Sequence, residues 1–162
     1  MLGLCSMGVE TALQDLRDYC RSMPPVAAMQ VQVDGYDEDG LRLSAPLAAN
    51  VNDKGTAFGG SLTSLMTVAG WGLLTLRLQL AGLKADVFVA DSAVRYLAPL
   101  RSDLQAQAVL APDQSWEGFV QTLRQRGRAR IQVLARVALP DGAMATTLSG
   151  RFVAIAKGGD GP

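Results

Sequence analysis

The chain has 162 residues, 49% of them hydrophobic, and its 15 Lys and Arg balance 15 Asp and Glu to a formal net charge of zero. That is the length of one compact domain with enough apolar residues for a core, and no basic stretch is present that could neutralise a row of phosphates, which excludes nucleic acid as a partner. Histidine is absent, so Ser-His-Asp and Cys-His relays, imidazole bases and His-ligated zinc are excluded, and chemistry near neutral pH falls to carboxylates, hydroxyls and backbone donors.

A single domain over residues 1–162 is expected, with 1–8 and 157–162 as flexible ends. The opening Met1-Leu2-Gly3-Leu4-Cys5-Ser6-Met7 lacks a basic segment and a long apolar run, so it does not read as a signal peptide, and Met7 is an alternative start. Cys5 and Cys20 show no CxxC spacing, which suits two inert thiols in a reducing, cytoplasmic setting. A first helix is predicted over residues 9–20, with Leu13, Leu16 and Cys20 on one face and Glu10, Gln14, Asp15 and Asp18 on the other, stopped by Pro24-Pro25. Met29, Val31 and Val33 then alternate with polar residues, a turn follows over residues 35–40, and Leu41 and Leu43 alternate with Arg42 and Ser44, giving a β-hairpin.

The loop Asn50-Val51-Asn52-Asp53-Lys54-Gly55-Thr56-Ala57-Phe58-Gly59-Gly60-Ser61 leads into a helix predicted over residues 60–80. That helix is apolar nearly all round, with small Ser61, Ser64, Ala69 and Gly70 among Leu and Val, so other structure must enclose it. Its uncharged stretch is too short to span a bilayer. Strands are predicted over residues 86–97, 104–111, 128–139 and 143–155, with Asp141-Gly142 as the turn between the last two. Between Pro112 and Gly127, Trp116, Phe119, Val120 and Leu123 recur at helical spacing, and Gly127 ends that third helix. The fold class is α+β: a mainly antiparallel sheet of about six strands around one long central helix, the arrangement of the hotdog fold.

The residues Asn50, Asn52, Gly55, Thr56, Phe58-Gly59-Gly60-Ser61-Leu62, Ala69-Gly70-Trp71-Gly72 and Asp91-Ser92 with Tyr96 and Pro99 carry a resemblance to a known family. Over nearly its full length the chain resembles the hotdog thioesterases, and within them the branch related to the C-terminal domain of YiiD. The resemblance implies hydrolysis of an acyl-CoA or acyl-carrier-protein thioester in fatty-acid metabolism. Coenzyme A or phosphopantetheine would belong to the substrate, with no separate cofactor and no metal. It also implies a homodimer, or a dimer of dimers, with residues of both chains in each site. In a familiar branch of that family His precedes Gly-Gly and a carboxylate follows nine residues later; here those places hold Phe58 and Thr67, which cannot take a proton from water.

Backbone N–H groups of Gly59 and Gly60 at the helix start are the expected donors to a thioester carbonyl. Asp53, in the preceding loop, is the first candidate to activate water, with Asn52 orienting water or carbonyl; the plainer reading is an exposed turn residue. Asp91, on the apolar strand Val87-Phe88-Val89-Ala90, is the second, against a salt bridge to Arg95 or Arg42. Asn50, Thr56, Phe58, Ser61, Ser64 and Thr67 are expected to line the substrate site; for Thr56, Ser61, Ser64 and Thr67 the alternative is that small hydroxyl residues let the helix pack closely, with their hydroxyls bonded to helix carbonyls. Phe58 and Trp71 either wall an acyl tunnel or are ordinary core. Arg124, Arg126, Arg128 and Arg130 either meet coenzyme A phosphates or an acyl carrier protein, or form a solvated face. The competing function is a noncatalytic acyl-thioester binding or accessory protein. A hotdog dehydratase is discounted, because those enzymes resemble one another in using histidine.

Overall fold

A computed structural model describes residues 2–158, with side chains described from Met7 onward. In chain order it comprises α1 (Leu2–Ser22), α2 (Pro24–Ala28), β1 (Gln32–Asp37), β2 (Gly40–Ala45), a 3-10 turn (Leu47–Ala49), α3 (Gly59–Leu80), β3 (Ala85–Tyr96), β4 (Leu104–Leu110), α4 (Trp116–Arg126), β5 (Arg128–Ala138) and β6 (Met144–Ala156). The six strands form one antiparallel sheet in the order β1-β2-β4-β5-β6-β3. The α+β hotdog architecture expected from the sequence is the one observed, with the sheet wrapped on α3.

The helix is largely enclosed because most of its surface is apolar, while a narrow line through Ser64, Thr67, Trp71 and Thr75 stays exposed or half-buried. Leu62, Leu65, Met66, Ala69, Leu73, Leu74, Leu76 and Leu78 are all buried. From the sheet, β5 presents Ala129, Ile131, Val133, Ala135 and Val137 to the core and turns Arg128 and Arg130 to solvent, the period-two alternation of a strand with one wet face. Close approach of helix and sheet depends on glycine at Gly70, where a Cβ would stand 2.7 Å from Cζ of the fully buried Phe152. On the other side α1 lays Ala12, Leu13, Leu16 and Cys20 against the core, and burial pushes the Cys20 thiol above its ordinary range. Cys5 and residues 159–162 of the expected flexible tail lie outside the described side chains and residues respectively.

Several boundaries differ from those read in the sequence. α1 begins at Leu2 and ends at Ser22, just ahead of Pro24-Pro25 as expected, and the same prolines go on to open α2, because proline's fixed φ and missing N–H suit a first helical turn. β1 continues through Gly35 and Tyr36 to Asp37, so the turn shrinks to Glu38-Asp39. Asp37 closes that turn: its Oδ1 accepts from the Asp39 N–H at 2.9 Å and its Oδ2 from Arg42 at 2.9 Å, and these contacts hold its carboxyl below the usual range. The 141–142 turn and the Gly127 helix end are as expected, Gly127 lying at φ 70° and Gly142 at φ 90°.

At the start of α4, Ser115 Oγ accepts the Gly118 N–H at 3.0 Å. Losing an N-cap acceptor of this kind typically costs about 1 kcal/mol. Ser115→Ala should therefore lower the urea midpoint by an amount corresponding to about 1 kcal/mol, with the denaturant slope unchanged; an unaltered midpoint would show that α4 is held by packing alone.

Candidate active site

Residues 50–58 form a tight return ahead of α3, pinned by an antiparallel bridge between Val51 and Ala57. The Asn52 N–H donates to Thr56 O at 2.8 Å, Phe58 N–H to Asn50 O at 2.7 Å and Ala57 N–H to Leu100 O at 2.8 Å. Asn52 holds the tip: its Oδ1 accepts from the Lys54 and Thr56 N–H groups at 2.8 and 3.1 Å, and its Nδ2 donates to the buried Thr56 hydroxyl at 2.7 Å. Gly55, at φ 78°, supplies the left-handed step that an L side chain would strain. Asn50, itself buried, anchors the base by donating from Nδ2 to Met29 O and Pro46 O at 2.9 and 2.8 Å.

This return delivers the chain to α3 through Phe58, which is extended at φ −64° and ψ 130° and provides no side-chain cap. The first helical bond runs from Leu62 N–H to Phe58 O at 3.0 Å, so the N–H groups of Gly59, Gly60 and Ser61 have no acceptor within the helix. They form the positive end of a long helix. The Phe58 ring, 55% exposed, leans over Gly60, where a Cβ would lie 2.5 Å from its Cε1. The Tyr96 ring flanks Gly59, with Cε1 at 3.4 Å from the corresponding position. A cavity of about 330 Å³ opens alongside, lined by Ala57, Gly59, Leu62, Tyr96, Pro99 and Leu100 among others. An uncapped, glycine-lined helix start beside an apolar cavity can take a carbonyl oxygen on its N–H groups and an acyl chain in the cavity.

The structure brings only part of the expected side-chain set to this place. Gly59, Gly60 and Phe58 are there, with Ser61 buried just inside the helix. Asn50, Asn52 and Thr56 shape the loop through the bonds above, leaving both polar groups of Asn52 engaged. Asp53 sits on the loop tip with its carboxylate 81% exposed and bonded to Lys54 Nζ at 2.9 Å. Ser64 is exposed, while Thr67 donates to Thr63 O at 2.8 Å and so is bonded back into its own helix. Trp71 does not meet Phe58 in a tunnel wall but packs edge-on against Tyr19 of α1, ring centroids 6.2 Å apart. Arg128 and Arg130 lie on the solvated outer sheet face, and Arg124 and Arg126 are exposed at the end of α4.

Asp91 is displaced by a feature that alternation does not reveal. Between Val89 and Asp91 the β3–β6 register shifts: Val89 pairs with Phe152, whose ring faces α3, but Asp91 pairs with Arg151, on the opposite face. Ala90 is the extra residue of this bulge, and it turns Asp91 away from the helix, where the carboxylate pairs with Arg151 rather than Arg95 or Arg42. The same bulge turns Tyr96 inward, opposite the buried Thr146. Its hydroxyl reaches Thr63 Oγ1 at 2.5 Å and donates towards Gly59 O at 3.3 Å. In the sequence Tyr96 stood out only as one of the residues that carry the family resemblance, and Thr63 not at all; the available signal for Thr63 was its place one helical turn after Gly59.

Residues 13–156 match the model of the family described as "Putative thioesterase (yiiD_Cterm)". The chain is 31% identical to a putative thioesterase from Shewanella oneidensis, with 90% of this chain and 99% of that one covered and a TM-score of 0.80. It is 26% identical to a protein of unknown function from Chlorobaculum tepidum, over 92% of this chain and 94% of that one, with a TM-score of 0.81. A thioesterase from Haemophilus influenzae, at 17% identity, 89% and 90% coverage and a TM-score of 0.64, shares the fold. Among the described residues no helix is long and apolar enough to cross a membrane. With an α3 start built of glycine and free N–H groups, and a family match spanning the loop, the helix and the whole sheet, the chain belongs to the hotdog thioesterase family of the yiiD C-terminal domain.

Proposed function

We propose that this protein hydrolyses an acyl-CoA or acyl-carrier-protein thioester at the amino-terminus of α3. The observation that carries the reading is the uncapped first turn, with Gly59 and Gly60 leaving its N–H groups open to a carbonyl oxygen beside an apolar cavity. Water oxygen adds to the carbonyl carbon, the negative oxygen of the tetrahedral intermediate rests on those N–H groups, and the C–S bond breaks to give a carboxylic acid and a free thiol. The proton lost by water passes through a carboxylate to the departing sulfur. Asp53 is the proposed carboxylate, Asn52 serving to hold its loop; on the loop tip it pairs only with the exposed neighbouring Lys54, a contact that a substrate in the site of a second copy can displace. Coenzyme A or phosphopantetheine enters as the carrier half of the substrate.

A homodimer or a dimer of dimers supports this arrangement. β3 is an edge strand, and it leaves Phe88, Val89 and Tyr96 exposed, with Leu97 just beyond it, an apolar edge of the kind that pairs with another chain. A cytoplasmic, fatty-acid-metabolic role is in keeping with the free, buried Cys20 thiol and the acyl cavity.

The test is release of free thiol from a panel of short, long and aromatic acyl-CoA and acyl-carrier-protein thioesters. Wild type should turn over at least one class, and Asp53→Asn should lower kcat by about 100-fold or more with an unchanged melting curve. Wild-type turnover in Asp53→Asn would remove that residue from the mechanism. Saturable thioester binding without any thiol release would favour the second reading, a noncatalytic acyl-thioester binding protein, for which the engagement of Asp53 with Lys54 and Asp91 with Arg151 speaks.

A further inference from the structure

We infer that the hydroxyls of Tyr96 and Thr63 act as one positioning unit that holds the attacking water against the first turn of α3. This rests on the hydrolytic reading above. Tyr96 is 59% exposed, so its ring is not held in place by burial; it lies instead across the Gly59 backbone at the edge of the cavity. Its hydroxyl and that of Thr63 are 2.5 Å apart, and Gly59 O stands 3.3 Å from the phenol oxygen.

The hydrogen-bond inventory of this cluster leaves room for a ligand. Each hydroxyl has one proton and two acceptor lone pairs. When Tyr96 donates to Gly59 O and Thr63 donates to the Tyr96 oxygen, one lone pair on the phenol oxygen and two on the Thr63 oxygen remain unused. A water that donates one hydrogen to one of those lone pairs keeps its other hydrogen for the carboxylate and a lone pair for the carbonyl carbon, as attack requires. One turn of helix rises about 5.4 Å, so this water and a carbonyl oxygen on the N–H groups of the helix start occupy neighbouring places and do not compete. Thr67, at the position where a familiar branch carries its carboxylate, is bonded back to Thr63 O and leaves this role open. Neither hydroxyl can take the proton of water near neutral pH, so both are positioning residues and the base remains a carboxylate.

The experiment compares kcat and KM of wild type with Tyr96→Phe, Thr63→Val, Thr63→Ser and the Tyr96→Phe/Thr63→Val double variant on the best-hydrolysed thioester. Tyr96→Phe and Thr63→Val should each lower kcat by about 10- to 100-fold with KM little changed. Thr63→Ser, which keeps a hydroxyl, should retain most of the rate, and the double variant should be no slower than the slower single one, because the two act as a unit. Wild-type kcat in Tyr96→Phe, a rise in KM that accounts for the loss, or multiplying losses in the double variant would each overturn the inference while leaving hydrolysis at α3 intact. Absence of thiol release by wild type itself would overturn the hydrolytic reading and this inference with it.

Discussion

Replacing Gly60 by valine should reduce thioester turnover by about 100-fold or more while the protein stays folded. Position 60 is exposed in the first turn of α3 and Gly60 is not among the residues of positive φ, so a branched residue fits the backbone. Glycine is also the poorer helix former of the two, so α3 itself is not weakened. The added Cβ would lie 2.5 Å from Phe58 Cε1 and 2.9 Å from its Cζ. Because the ring is exposed it can give way, but the valine methyls and the displaced ring then fill the space in front of the free N–H groups. Steady-state kinetics beside a thermal melt checks this: lost turnover with an unchanged melt places the chemistry at the helix start, and undiminished turnover would remove it from there. Gly60→Ala should fall between the two.

The largest stability effect is expected at the contact between helix and sheet. Phe152 has no exposed surface, and its truncation to alanine should cost about 3–5 kcal/mol through lost burial and the cavity left behind. The reciprocal change, Gly70→Ala, puts a methyl 2.7 Å from Phe152 Cζ, 2.9 Å from Cε2 and 3.4 Å from Val133 Cγ1. Overpacking of that kind typically costs about 1–3 kcal/mol, partly offset by about 1 kcal/mol of helix propensity. Combining Gly70→Ala with Phe152→Leu should cost less than the two single changes together, since the smaller side chain makes room for the methyl. Urea denaturation of the four proteins measures the coupling; strict additivity would mean that helix and sheet adjust independently at this point.

The two experiments probe different consequences of one arrangement. Gly70 and Phe152 set how closely α3 sits in the sheet, and that distance brings its amino-terminus within reach of Tyr96 on β3. A change in the core can therefore alter catalysis without touching the site, and comparing kcat in Gly70→Ala with its stability separates the two effects.

The elements that the sequence disclosed are those whose signal is local. The nearly all-round apolar run from Leu62 to Leu76 reads as a largely buried helix, β5 alternates without interruption, and Gly127 and Asp141-Gly142 carry backbone requirements that belong to the residues themselves. The glycine pair at the start of α3 was legible for the same reason. Side-chain placement was less so. Asn52 and Asp53 have the residue types of a catalytic loop, yet the bonds that engage Asn52 with Thr56, and Asp53 with Lys54, arise from the tight return between Val51 and Ala57.

By itself the sequence determined that this chain folds as one helix enclosed by an antiparallel sheet, and that histidine chemistry is closed to it. Tertiary structure alone decided which polar side chains meet that helix. Strict alternation along β3 places Asp91 with Val87 and Val89, but the single extra residue at Ala90 reverses the faces beyond it, sending Asp91 to Arg151 and Tyr96 to Thr63. A bulge depends on the partner strand's register and not on the composition of its own, so its effect on the site exists only once β3 and β6 have paired.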